Sequence, residues 1–322
     1  MKQQSFEANN RDAWEAYAQQ LRDVRHGYRL AEGAQAAQFA AQYRRLARDL
    51  AIAQGRGYSQ RLVHYLNDLV VQGHNVVYAY RPGFARSLLL FFRAGFPIRV
   101  RAAWRYMLVA LLLFVVPLGG MVATVVVAPE WVYSVMSSDQ ASQLEAMYEP
   151  KAERLGRERA SAGDFLMFGY YIMNNISITF RVFASGLVFG LGTIFYVVFN
   201  AVYIGAAAGH IINVGHTQTF FSFVVGHGAL ELTAIVIAGG AGLMLGHAVL
   251  RPGAHGRLAQ LRLVAPEAVQ IVLGAALMCL FAAFIEAFWS ASTALPVAVK
   301  YWVGAALWAS VACYFGFAGR QA

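Results

Sequence analysis

Charge is scarce in this chain: 26 Lys and Arg and 17 Asp and Glu among 322 residues, or 13%, against 58% hydrophobic residues. A soluble domain carries about 25% charged residues, so one water-solvated core of this length is excluded. The mean hydropathy of +0.47 agrees, and membrane hydrocarbon becomes the expected solvent. Cysteine is equally sparse. Cys279 and Cys313 both lie in apolar runs, which leaves no disulfide framework and no paired-cysteine metal motif. The N-terminal MKQQSFEANNRDAWEAY lacks the basic and apolar regions of a secretory signal, so the first span is expected to act as its own targeting element. No internal repeat is visible, and an inverted-repeat transporter therefore gains no support. The basic excess of +9 sits beside apolar stretches rather than on an aromatic-studded surface. It reads as a topology signal and excludes nucleic acid as a partner.

What remains is an all-α pattern: a polytopic transmembrane bundle of about six spans behind an N-terminal helical domain. Residues 1–82 form the head. Phe39, Tyr43, Leu46 and Leu50, then Leu62, Leu66, Leu69 and Val76, recur at helical spacing, enough for two or three amphipathic helices with a turn at Gly55 and Gly57. Residues 83–103 follow with Arg86, Arg93, Arg99, Arg101 and Arg105, and no acid lies between Arg81 and Arg105. That reads as a basic interfacial elbow on anionic membrane lipids, which puts the head in the cytoplasm. The first span occupies 104–129. Residues 130–166 form an acid-rich external loop in which Glu153 and Arg157, at i and i+4, suggest a helix lying over the membrane. A five-span core, 167–322, completes the chain, with spans near 170–195, 199–214, 228–250, 267–290 and 297–317. A re-entrant or interfacial segment is expected near 215–227, and five spans plus a re-entrant hairpin satisfy the same charges. RPGAHGRLAQLRL at 251–263 carries three Arg and no acid, which places both termini on the cytoplasmic side of a bacterial cytoplasmic membrane.

Ionisable groups inside spans cost about 2.5 to 3.5 kcal/mol on insertion scales, so each needs a partner or a polar cavity. Glu231 is one, with His227 a helical turn before it on the same face. The pair could be a proton relay or half of a metal site; equally, His227 could satisfy Glu231 and pin the bundle. HGALE is not HExxH, and one His cannot supply two ligands, so no metal site and no catalytic set is assigned. Glu286 is a second isolated carboxylate, with Lys300 a candidate partner. Arg181 either pairs with Glu231 or Glu286 or snorkels outward. Asn174, Asn175 and Asn200 are amides suited to bonds between helices, and Gly186 with Gly190 and Gly242 with Gly246 are small-xxx-small pairs suited to close helix approach.

HGALELTAIVIAGGAGLMLG at 227–246, Asn174–Asn175, GLGT at 190–193, Asn200 and IEAF at 285–288 together resemble the stage II sporulation protein M family of integral membrane proteins. YRRLARDLA at 43–51, LNDLV at 66–70 and FFRAGFP at 91–97 extend the resemblance over most of the chain. Two positions depart from the pattern: Ala201 follows the central Asn where Gly is usual, and Gly226 precedes His227 where Pro is frequent. The resemblance implies envelope remodelling with partners. The namesake acts within a peptidoglycan-remodelling complex in spore engulfment, and other members accompany MoxR-type ATPases. It implies no catalytic residue and no cofactor.

Three functions are therefore in view. The first is a non-enzymatic, homo-oligomeric membrane scaffold, its head recruiting cytoplasmic proteins and its external loop engaging envelope machinery. The second is a channel or transporter for ions, small solutes or lipid, lined by Arg181, His227, Glu231 and Glu286; its mark is a polar path reaching both surfaces. An intramembrane metal-dependent hydrolase ranks last.

Overall fold

The computed structural model describes residues 2–25, 34–79, 84–150, 155–156, 163–253 and 256–320. Contacts divide the chain into two units that meet between Ser87 and Leu88. The first contains α1 (Gln3–Arg25), α2 (Ala34–Gly55) and α3 (Gln60–Ala79). Gly57, at φ 63°, makes the expected turn between the last two. Phe39, Leu46, Leu50, Leu62, Leu66 and Leu69 are buried as their spacing requires, and α1 adds Phe6, Trp14, Tyr17 and Leu21 to the same core. Trp14 donates its indole N–H to the buried Asp49 carboxylate at 3.1 Å.

The second unit is a helical bundle, and no β-strand occurs among the described residues. α4 (Phe84–Leu90) runs across the boundary into a π turn (Phe91–Gly95) and α5 (Phe96–Ala102). The expected elbow is thus helical throughout its described part. Then come α6 (Trp104–Val127), a 3-10 turn (Pro129–Ser134), α7 (Ser138–Met147), α8 (Gly163–Ala184), α9 (Leu191–Val214), α10 (Thr217–Leu250), α11 (Arg257–Phe284), a π turn (Ile285–Ser290) and α12 (Val297–Phe317). Five helices are long and apolar enough to cross a membrane: α6, α9, α10, α11 continued by its π turn, and α12. α8 runs antiparallel to them at 22 residues, but Asn174, Asn175 and Arg181 dilute its apolar face.

Two expected boundaries move. The second span was placed at 170–195, yet α8 ends at Ala184, because Phe189 and Gly190 adopt positive φ (53° and 79°) and turn the chain before α9. The segment near 215–227 is not re-entrant. Gly215 makes the turn at φ 89°, and Thr217 begins a continuous 34-residue helix. Its polar start is solvated by the α7 region rather than by a break in the backbone, as the Thr219 hydroxyl bonded to the Tyr148 carbonyl at 2.5 Å shows. The pair Glu153 and Arg157 lies outside the described residues.

The two small-residue pairs pack against each other. A Cβ on Gly186 would sit 2.8 Å from the Gly242 Cα, and one on Gly246 would sit 3.1 Å from the Phe189 carbonyl carbon beside Gly190. Backbone meets backbone there, which only glycine permits. Around this seam Val182, Val197, Ala234, Ile235, Ala238 and Ala241 are fully or almost fully buried, so this end of the bundle is closed by apolar packing.

Candidate functional site

The opposite end is hollow. A cavity of about 340 Å³ opens among α7, α8, α9 and α10, lined by Gln140 and Gln143 of α7, Tyr170, Tyr171, Asn174 and Asn175 of α8, Tyr203 of α9, Glu231 of α10, and Glu286. It narrows onto three ionisable groups. His227 and Glu231 lie one turn apart on α10, and Glu286 comes from the π turn that ends α11; one ligating atom of each lies within 4.8 Å of the others. A π turn inserts one residue into the helical register, and in this one Glu286 and Ser290 are both buried.

His227 is buried, with its ring edge-on to Phe223 at 5.1 Å. Its Nδ1 faces the Ser290 hydroxyl at 3.1 Å, so Ser290, rather than Glu231, orients the imidazole. Ser290 also accepts, through its carbonyl, a 2.8 Å bond from the buried Lys300 ammonium. Asn174 donates to the Asn175 side-chain oxygen at 2.9 Å. The Asn175 amide nitrogen is itself buried with no hydrogen bond. Gly226 makes room for Trp289: a Cβ there would stand 3.0 Å from the indole ring. Glycine at this position thus lets α10 continue unbroken to His227.

Residues 138–156 form a lid. Ser137 and Gln140 close a capping box at the start of α7, bonding at 3.2 and 2.9 Å. Glu145 pairs with His210 of α9 at 2.8 Å. Tyr148 packs edge-on against Phe220 and Phe223. The chain beyond α7 is tied down by Gly156 bonding back to Met147 and Leu155 bonding to Ala291.

Of the seven polar residues singled out in the spans, five meet here: Asn174, Asn175, His227, Glu231 and Glu286. Arg181 does not. It is exposed in the last turn of α8, where a cation complements the helix dipole. Asn200 bonds to the Tyr196 carbonyl at 2.7 Å along its own helix, and Ala201 beside it is fully buried. The basic elbow set also divides. Arg86, Arg93 and Arg105 are exposed, with Arg105 over the Trp104 ring. Arg99 bonds to Gly95 and approaches Glu267 at 3.7 Å. Arg101 donates to the Phe315 and Ala318 carbonyls at the end of α12 and so caps that helix. Tyr203, Ser290, Lys300 and the Glu145–His210 pair complete the surroundings of the site.

The family model for Stage II sporulation protein M matches residues 108–291, more than half of the chain. The chain belongs to the Stage II sporulation protein M family. A second model, a Domain of unknown function (DUF8413), matches residues 4–79, which are the three head helices. No curated protein and no solved structure matches the chain. Every cavity-lining residue falls inside the Stage II sporulation protein M match. Lys300 and α12 fall outside it.

Proposed function

We infer that this multi-pass Stage II sporulation protein M family member works as a non-enzymatic scaffold of the bacterial cytoplasmic membrane. On this reading both termini are cytoplasmic, the head engages cytoplasmic proteins such as a MoxR-type ATPase system, and the lid faces the envelope machinery. One observation carries the reading: the polar cavity opens only at the lid end, while the glycine seam and buried aliphatics close the other end. A channel needs a polar path to both surfaces, and this bundle interrupts it. The Ser–His contact also argues against hydrolysis, because Ser290 is fully buried and is not among the residues lining the cavity.

Native mass spectrometry of protein taken from its own membranes at native expression tests this, together with flux assays in proteoliposomes. Heterologous subunits in fixed ratio, on a homo-oligomeric core, with ion and lipid flux no higher than in empty vesicles, are expected. Flux that Glu231→Gln abolishes would replace the scaffold with a transporter.

A further inference from the structure

The two carboxylates at the cavity floor pose an electrostatic problem. Glu231 and Glu286 lie together among apolar helices, where each loses hydration and repels the other. Lys300 supplies at most one positive charge against two negative ones, and its ammonium is held by the Ser290 carbonyl. Something positive between the carboxylates resolves the conflict, and a proton or a metal ion are the two ways to provide it.

Three features favour the metal. The cluster combines an imidazole nitrogen with carboxylate oxygens, the donor set of divalent transition metals. Its atoms, within 4.8 Å of one another, need side-chain rotations of about 1 Å to reach the spacing of about 3.3 Å that bonds near 2 Å in a tetrahedral site impose. Next, Ser290 holds His227 Nδ1 and leaves Nε2 to coordinate; metal-binding histidines are oriented through their other nitrogen in this way. Finally, Asn175 lines the cavity, is 3% exposed and keeps an amide nitrogen without a partner. A buried donor of this kind calls for an acceptor, and a metal-bound water or a coordinating carboxylate oxygen supplies one.

We propose that His227, Glu231 and Glu286 form a mononuclear site for a divalent transition-metal cation of the Zn2+ type, with water completing the coordination and Asn175 donating to that water. The metal enters through the lid end. The site rests on the one-sided cavity described above and adds a bound ion to it.

The test uses the full chain in mild detergent, stripped with EDTA and reloaded with Co2+ as a spectroscopic substitute for Zn2+. One Co2+ per chain is expected, with visible ligand-field bands that Zn2+ displaces. His227→Ala and Glu231→Gln are expected to lose both. Ser290→Ala retains all three ligands and so serves where those variants do not fold; it is expected to bind Co2+ about 10-fold more weakly, and Arg181→Gln to bind as the parent does. A parent protein that takes up no Co2+ has its carboxylates sharing a proton, and the metal site falls. Bands unchanged in His227→Ala, or affinity unchanged in Ser290→Ala, place the ion elsewhere and overturn it equally. In sealed vesicles of one orientation, external EDTA should strip Co2+ from the lid face only. Stripping from the opposite face would keep the metal site and remove the one-sided cavity.

Discussion

Tyr17 carries a hydroxyl that the head buries, at 2% exposure, without a hydrogen bond. Burial raises its pKa above the ordinary value of 10.0, with Tyr43 adding to the effect. The neutral phenol is therefore the form the fold prefers: its stabilising contribution is complete below pH 10 and is lost as pH climbs through the raised value. Hydrogen exchange on the full chain should show head amides losing protection on alkaline titration. Tyr17→Phe should weaken that dependence and stabilise the head by about 1 kcal/mol at neutral pH, since a buried, unsatisfied hydroxyl is removed. At this scale the sequence was most informative where charge is rare. Glu231 and Glu286 stand out in apolar runs because a carboxylate there has no cheap structural use. Ser290 and Tyr203 do not stand out, because Ser and Tyr are ordinary in spans, and only the π turn brings Ser290 to His227. Arg181 misled for the converse reason: its depth depended on where α8 ends, and the positive-φ turn at Phe189 and Gly190 puts it in the last turn.

Among elements, α7 is the one on which access to the cavity depends. Its capping box is worth about 1 kcal/mol, so Ser137→Ala should speed hydrogen exchange over 138–147 while leaving α10 unchanged. Glu145→Ala, which removes the pair with His210, should do the same at the other end of the helix. At the closed end, Gly242→Leu would drive a side chain into the Val182 and Phe183 carbonyls, which lie 2.9 and 3.1 Å from a Cβ at that position. Overpacking of this kind costs about 1 to 3 kcal/mol or more, and a lower melting temperature in detergent is the expected reading. Helix existence was legible from apolar length, and the glycine pairs from spacing alone. The turn at 185–190 and the unbroken α10 were not: a left-handed Phe189 leaves no compositional mark, and the polar GHTQT at 215–219 looks like a surface turn until the lid that solvates it is in place. α1 was harder to separate because its apolar residues are fewer and more widely spaced than those of α2 and α3.

For the molecule as a whole, the alternation of helix ends puts Gln143 and the cavity mouth at one end of the bundle and the α10–α11 turn at the other. The positive-inside rule assigns the second of these to the cytoplasm. Cysteine accessibility tests this orientation and the one-sided cavity together, and the chain suits it: Cys279 is buried, and the exposed Cys313 can be changed to Ser. In that background Gln143→Cys on the lid, Asn174→Cys in the cavity and Ala259→Cys at the start of α11 would be treated with a membrane-impermeant maleimide, first on cells with a permeabilised outer layer and then on inverted vesicles. An outward-opening cavity predicts labelling of Gln143→Cys and Asn174→Cys from the cell exterior only, and of Ala259→Cys from the inverted face only. Labelling of Asn174→Cys from both faces, or of Ala259→Cys from the exterior, would contradict it.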